Sequence, residues 1–157
     1  MRVGQGFDAH ALVPGRRLVL GGVEVPYERG LEGHSDGDVL LHAVTSALLG
    51  ALGEGDLGKH FPSSDPRYAG ASSADFVSHA AGLCRARGWQ LANLDSTVVA
   101  QAPRLAPHAP AMRERIAKLL GASLENVNVK ITSTDHLGTI GRGEGMAAFA
   151  VVLLERA

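Results

Sequence analysis

The sequence is poor in cysteine, in aromatic residues and in long apolar runs. Cys84 is the single cysteine among 157 residues, so no disulfide can form within the chain. The apolar helical pattern around it predicts a buried structural thiol in a reducing compartment. The longest apolar run, 146–154, is far shorter than the roughly 20 residues of a membrane-spanning helix. These features argue against a disulfide scaffold and against membrane partners.

Charge of either sign is also sparse and evenly spread. Lys and Arg total 15 against 16 Asp and Glu, which leaves a net charge of -1. Because nucleic-acid-binding domains carry basic patches, we expect no nucleic-acid partner; a ligand with phosphates would need metal, backbone amides and a few placed side chains. No signal-like stretch opens the sequence, and we expect a cytoplasmic protein, or an organellar one without its transit peptide.

Length and composition predict one globular domain spanning 1–157. The chain is 45% hydrophobic and 20% charged, and it shows neither an internal repeat nor a second domain. Helical patterns separated by single strands predict an α+β fold: a mostly antiparallel or mixed four-stranded sheet covered by helices on one face. The other face also needs a cover, which oligomerisation through the sheet would provide.

Alternation, capping residues and turn residues predict the order of the elements. Residues 27–32 should be a polar connection, and 53–67 a long loop that is either functional or a surface excursion. Ser35 or Asp36 should cap the first helix. We predict strands at 1–11, 126–132 and 146–154, a β-leaning segment at 89–101, a hairpin at 17–26 around Gly21-Gly22, and helices at 36–52, from Ser72 to Gly88 and from Pro110 to Gly121.

Two segments carry residues that could bind one metal. In the first strand Asp8 and His10 are two positions apart, so both lie on the same face, beside glycines that allow close approach. The polar run 33–38 leads into the first helix, which carries His42. An Asp-x-His on a strand plus a His on a helix can hold a catalytic zinc with one open position. Taken singly, each piece also fits a solvent-facing strand end or a capped helix with a satisfied histidine.

Six blocks of sequence, in order and nearly end to end, give the chain a family resemblance. They are Gly6-Phe7-Asp8-Ala9-His10, Leu20-Gly21-Gly22-Val23, residues 33–38 with His42, residues 55–62, Ala100-Gln101-Ala102-Pro103 and Gly141-Arg142-Gly143-Glu144-Gly145. The chain resembles the 2-C-methyl-D-erythritol 2,4-cyclodiphosphate synthase family of the non-mevalonate isoprenoid pathway. This resemblance implies a phosphorus-oxygen lyase that forms homotrimers, with active sites between subunits.

The implied reaction is an intramolecular phosphoryl transfer. The 2-phosphate of 4-diphosphocytidyl-2-C-methyl-D-erythritol 2-phosphate attacks the β-phosphorus, and CMP leaves. Because an anion attacks an anion, the protein must position both groups and neutralise charge. The resemblance implies Zn²⁺, or another divalent metal, on Asp8, His10 and His42, and Mg²⁺ or Mn²⁺ on the substrate diphosphate.

The resemblance also assigns residues to the substrate, position by position. His34 and Ser133 are the catalytic candidates, with Ser133 stabilising the transition state. The substrate-binding set is Asp8, His10, His34, Ser35, Asp56, Leu57, Gly58, Phe61, Pro62, Ser63, Ser64, Asp65, Ala100, Gln101, Ala102, Pro103, Arg104, Leu105, Ala106, Thr132, Ser133, Thr134, Asp135, Thr139 and Arg142. Residues 100–106 resemble a cytosine pocket. Without the resemblance, the polar turn residues fit turns in which each side chain hydrogen-bonds only the nearby backbone, and Arg142 with Glu144 fits a solvated ion pair.

Four positions depart from the family pattern. Ser46 stands where an acidic residue is expected one turn after His42, which weakens the inferred support of that ligand. Asp135 replaces a more common Glu, and Ser63 and Thr139 replace acidic and aromatic residues. Two other functions stay open: a metal-dependent phosphoesterase that activates water with the same ligands, and a trimeric binding module with a structural zinc. A single cysteine argues against the structural zinc.

Overall fold

The computed structural model covers residues 1–157 and contains seven strands and five α-helices. The strands are β1 (Arg2–Pro14), β2 (Leu18–Leu20), β3 (Val23–Val25), β4 (Arg29–Leu31), β5 (Trp89–Val99), β6 (Val127–Thr132) and β7 (Gly145–Arg156). The helices are α1 (Val39–Leu52), α2 (Leu57–His60), α3 (Ser73–Ala86), α4 (Ala109–Leu120) and α5 (Gly138–Gly141), with 3₁₀ turns at Pro66–Tyr68, Ala106–His108 and Leu124–Asn126.

The main sheet has five strands in the order β4-β1-β7-β5-β6. Only β5 and β6 run parallel, and the other neighbouring pairs are antiparallel. The predicted α+β fold with a mixed sheet is confirmed, but the count of four strands was wrong. Residues 27–32, predicted as a connection, contain β4, which pairs with the end of β1 because β1 continues to Pro14. The hairpin of β2 and β3 forms a separate two-stranded sheet, with Gly21-Gly22 between the strands.

Helix α1 lies directly on β1 because β1 carries glycine where the two elements cross. A Cβ on Gly4 would overlap the backbone oxygen of Ala47, and a Cβ on Gly6 would overlap that of Ala43. Close approach buries twelve of the fourteen α1 residues. It also holds the polar end of β1 against the first turns of α1, which carry His42.

Asp38 joins the start of α1 to the β2–β3 hairpin. It is the N-cap of α1, so the predicted caps at 35–36 were wrong and the helix begins at Val39. The buried Asp38 carboxylate accepts hydrogen bonds from the backbone N–H groups of Gly21 (2.9 Å), Gly22 (2.7 Å) and Leu41 (3.0 Å). Burial raises the pKa of Asp38 to about 6, although these hydrogen bonds oppose the shift.

Other helix boundaries follow the sequence signals more closely. Ser72 caps α3, and Gly53 ends α1 in the left-handed conformation with φ of 74°. The prediction for 53–67 was wrong in part, because the segment contains α2, which Asp56 caps. None of the helices has the length and apolar character that crossing a bilayer requires.

The main sheet exposes apolar side chains on the face turned away from α1. Val3, Phe7, Phe149 and Val151 are 68, 53, 45 and 44% exposed. Phe7 and Phe149 are opposite each other in the β1–β7 register, and their ring centroids lie 5.0 Å apart. Contiguous apolar surface of this kind is typical of a binding or subunit interface.

Candidate functional site

Asp8, His10 and His42 converge although they come from a strand and a helix. Asp8 Oδ2 lies 2.8 Å from His10 Nε2 and 2.8 Å from His42 Nδ1, and the two nitrogens are 3.2 Å apart. The prediction that these three side chains form one possible metal-binding group is confirmed. The strand period places Asp8 and His10 side by side, and the glycine contact of β1 with α1 brings His42 to them.

The three converging atoms fit a divalent cation. Lone pairs of a carboxylate and two neutral imidazoles repel one another at these distances unless protons or a metal ion lie among them. Burial raises the pKa of Asp8, but hydrogen bonds and charge from His10 and His42 outweigh burial and lower it to about 2. Asp8 is therefore ionised at neutral pH. One carboxylate with two imidazoles, their ligand atoms within 4.8 Å of one another, is a suitable donor set for zinc and related metals.

The second ring nitrogen of His42 has its own partners on the buried side. His42 Nε2 lies 2.8 Å from Ser73 Oγ and 3.1 Å from Ser35 Oγ. Ser73 Oγ in turn contacts the carboxylate of Asp36. Hydrogen-bonded support for His42 thus comes from Ser73 and Ser35. The family pattern has an acidic residue at position 46 for this role, and here that position is Ser46.

A cavity of about 190 Å³ contains the three ligands. Its lining residues are Asp8, His10, His34, Ser35, His42, Leu57, Gly58, Phe61, Ser63, Tyr68 and Phe76. Nine of these were predicted as site residues from the sequence. Tyr68 and Phe76 were missed, because Phe76 follows the apolar pattern of α3 and Tyr68 follows the segment predicted as a loop. The Phe61 ring stacks on the Phe76 ring with centroids 4.2 Å apart.

Arg16 holds the loop that carries His34 and Ser35. Its guanidinium donates hydrogen bonds to the backbone oxygens of Gly33 (2.9 Å) and Ser35 (2.6 Å). His34 Nε2 lies 2.9 Å from the backbone oxygen of Asp65, which links this loop to the segment after α2. The sequence offered no signal for the role of Arg16, because its partners are backbone atoms 17 and 19 positions away.

A second group of predicted residues lies outside this cavity. Residues 100–106 follow the carboxyl end of β5, and residues 132–135 begin at the carboxyl end of β6; because these strands run parallel, both segments lie at the same edge. Ala100 N–H donates to the backbone oxygen of Thr132 at 3.0 Å. Thr134 and Thr139 line another cavity, of about 670 Å³, which includes His10. Within one chain, the predicted substrate residues are therefore divided between two places.

Several other predicted residues have structural partners. Ser133 Oγ accepts a hydrogen bond from Asp135 N–H at 3.2 Å, and Thr134 Oγ1 donates to a backbone oxygen three residues on at 2.7 Å. Arg142 Nε lies 2.7 Å from Glu144 Oε2, in an exposed ion pair. These contacts match the local side-chain-to-backbone turns and the solvated ion pair that the residue types predict without the family resemblance. Asp56 and Asp65 cap short helices, and Pro62 and Ser64 lie between them.

Comparison with known proteins gives one consistent result. The YgbB family model matches residues 1–155. A 2-C-methyl-D-erythritol 2,4-cyclodiphosphate synthase of Geotalea uraniireducens is 59% identical over 156 residues, which cover 99% of both chains. The bifunctional IspDF structure from Campylobacter jejuni aligns with a TM-score of 0.95 and 42% identity, over 99% of this chain and 42% of that one. The IspF structure of Plasmodium falciparum, solved as a CDP complex, aligns with a TM-score of 0.87 and 31% identity, over 99% of this chain and 96% of that one.

Proposed function

The chain belongs to the YgbB family of 2-C-methyl-D-erythritol 2,4-cyclodiphosphate synthases, enzymes of isoprenoid biosynthesis, and we propose that the cavity around Asp8, His10 and His42 is its catalytic centre. The observation that carries this proposal is the convergence of three metal-ligand atoms within 4.8 Å inside that cavity. The free, buried Cys84 suits a reducing compartment, so the proposal includes a cytoplasmic location.

The substrate we propose is 4-diphosphocytidyl-2-C-methyl-D-erythritol 2-phosphate. An oxygen of its 2-phosphate forms a bond to the β-phosphorus, the bond from that phosphorus to the bridging oxygen breaks, and CMP leaves with the bridging oxygen. Zinc, or another divalent metal on Asp8, His10 and His42, together with Mg²⁺ or Mn²⁺ on the diphosphate, would polarise phosphoryl oxygens and neutralise their charge.

The residues around the ligands would position the substrate and exclude water. His34 and Ser35 lie on the loop that Arg16 holds, so their side chains have a defined place beside the 2-phosphate and the erythritol. Phe61 stacks on Phe76 and forms the apolar wall that would cover the methylerythritol group. Asp56 and the backbone at Gly58 would contact the sugar part of the substrate.

The cytidine end of the substrate requires residues from a neighbouring copy of the chain. Residues 100–106 and 132–135 do not line the first cavity of their own chain. The exposed apolar face of the main sheet offers a subunit interface, which supports a homotrimer whose active sites lie between subunits. The CDP complex of the Plasmodium falciparum relative supports a cytidine diphosphate-linked ligand.

Disrupting the apolar face is expected to dissociate the trimer. Phe149→Glu places a charge on that face, and we expect the mass in solution to fall from about three times the 16.3 kDa of the chain to a single chain, with loss of turnover. Light scattering after size exclusion measures the mass. The control is Leu124→Glu, because Leu124 is similarly exposed at 42% but lies on a 3₁₀ turn. A trimer that survives Phe149→Glu would place the interface elsewhere.

A direct assay tests the proposed activity. Purified protein with Zn²⁺ and Mg²⁺ is incubated with the diphosphocytidyl substrate, and ³¹P NMR follows the products. We expect the cyclic diphosphate and CMP. An open-chain hydrolysis product would instead identify a metal-dependent phosphoesterase. Tight binding of the substrate without any product would support a binding module.

A further inference from the structure

We infer that Asp36, acting through Ser73, is a positioning residue that fixes the tautomer of His42, so that its Nδ1 lone pair faces Asp8 and His10. The inference goes beyond the family activity, because it concerns which residues set the tautomer in which His42 can bind a metal ion. It rests on the proposed function only in taking Asp8, His10 and His42 as metal ligands.

The number of available protons sets the direction of each hydrogen bond. The Asp36 carboxylate can only accept, and its oxygens already receive the backbone N–H groups of Asp38 (3.1 Å) and Ser73 (3.0 Å). The Ser73 hydroxyl, which contacts Asp36 Oδ1, must therefore give its single proton to that oxygen. Ser73 Oγ is left with lone pairs facing His42 Nε2 at 2.8 Å, and this contact is favourable only when Nε2 carries the proton.

A proton on Nε2 determines the state of the other nitrogen. In a neutral imidazole one nitrogen is a donor and the other an acceptor, so Nδ1 of His42 then presents a lone pair. That nitrogen lies 2.8 Å from Asp8 Oδ2 and 3.2 Å from His10 Nε2. Since the Asp8 carboxylate also only accepts, a lone pair on Nδ1 faces it favourably with a metal cation between the two atoms. The alternative tautomer would place a proton where the metal has to bind.

The Asp36–Ser73 pair is built rigidly. Ser73 is fully buried as the first residue of α3, and Asp36 N–H donates to the backbone oxygen of Ala71 at 3.0 Å. Asp36 therefore joins the loop before α1 to the start of α3, through its backbone to Ala71 and through its side chain to Ser73. A carboxylate held by two backbone amides cannot turn away without losing both hydrogen bonds.

Ser35 cannot fix the tautomer in the same way. Its hydroxyl lies 3.1 Å from His42 Nε2, but its only other partner is the N–H of Gly37, for which it is an acceptor at 3.5 Å. The Ser35 proton is thus free to point toward His42 or into the cavity. Only the Ser73 hydroxyl donates its proton to a carboxylate, that of Asp36. Asp36 therefore determines that Ser73 accepts a hydrogen bond from His42 and does not donate one.

Two variants and one control test the inference. Asp36→Ala removes the acceptor of the Ser73 hydroxyl, so that the Ser73 proton can point at His42 Nε2 and the tautomer is no longer fixed. Ser73→Ala removes the hydroxyl alone. We expect both to weaken zinc binding by roughly 10- to 100-fold in competition with a chelator. Ser72→Ala is the control, because Ser72 caps the same helix end without contacting His42; its zinc affinity should stay within about twofold of wild type.

The tautomer is read directly by NMR of metal-free protein containing ¹⁵N-labelled histidine, because a metal on Nδ1 would by itself leave the proton on Nε2. We expect a proton on Nε2 of His42, protected from exchange in wild type and in Ser72→Ala, and lost or rapidly exchanging in Asp36→Ala and Ser73→Ala. Unchanged zinc affinity and an unchanged Nε2 signal in folded Ser73→Ala would overturn the inference. Wild-type protein that binds no divalent metal would instead overturn the proposed catalytic centre and the inference together.

Discussion

Replacing Asp8 or His42 with alanine is expected to remove the bound metal and to lower turnover by about a thousandfold or more, because the metal contributes several kcal/mol of charge stabilisation. Either change leaves only two of the three ligand atoms. Two ligands hold a divalent metal too weakly to keep it in the position where it would contact the substrate. His42→Ala also removes the partner of two buried hydroxyls, those of Ser73 and Ser35. We expect this variant to be the less stable of the two.

Elemental analysis of purified protein measures the loss. Wild type should contain near one zinc per chain, and both variants should contain almost none while keeping the far-UV circular dichroism of wild type. His108→Ala is the matched control, since His108 is only partly buried and its side chain makes no capping hydrogen bond. Metal retained at wild-type levels in Asp8→Ala would show that these side chains are not the site, and the catalytic proposal would fall with it.

The largest effect on stability is expected from Asp38→Ala, which should lower the free energy of unfolding by about 4 kcal/mol. The change leaves the buried N–H groups of Gly21, Gly22 and Leu41 without their acceptor and removes the N-cap of α1. Because the same residue ties the hairpin to α1, its loss also loosens the first turns that carry His42. Urea unfolding monitored by circular dichroism gives the free energy.

Asp56→Ala is the control for this measurement. Asp56 caps α2 with one exposed hydrogen bond, to Lys59 N–H at 2.9 Å, so its loss should reduce stability by only about 1 kcal/mol. Equal losses in the two variants would mean that Asp38 acts as an ordinary cap and that its contacts with the hairpin add nothing.

The buried Asp38 also makes stability depend on pH. Its pKa rises from 3.8 to about 6 on folding, so the folded state binds this proton more tightly than the unfolded state. The contribution of this proton to the free energy of unfolding is fully present below pH 4. It is lost as the pH rises through 6, and the total loss is about 3 kcal/mol at most. Asp38→Asn does not titrate, so the stability of wild type relative to this variant should decline across that pH range. A constant difference would contradict the raised pKa.

Much of this molecule follows from patterns a few residues long. The two-residue period of a strand placed Asp8 and His10 on one face, the glycine pair marked the hairpin, and Ser72 marked the start of α3. The residue types then suggested that His42 joins these strand residues in one metal site, and the family resemblance strengthened that hypothesis. These features could be predicted because each depends on neighbouring side chains or on a single backbone turn.

Contacts between distant segments could not be predicted in this way. The pairing of β4 with β1 depends on how far β1 extends, and the choice of Asp38 over 35–36 as the cap depends on the buried hairpin amides that it also satisfies. The family pattern places the support for His42 at position 46, but the support comes from Ser73, the first residue of α3, 31 positions after His42.

The sequence by itself determined the ligand types, the strand and helix that carry them, and the family. Tertiary structure decided which nitrogen of His42 is free, because that depends on Ser73 and Asp36, whose contact spans 37 positions. It also divided the predicted substrate residues between two places in one chain. The physical reason is the same in each case: side-chain periodicity is a local property, whereas the direction of a buried hydrogen bond depends on every group packed around it.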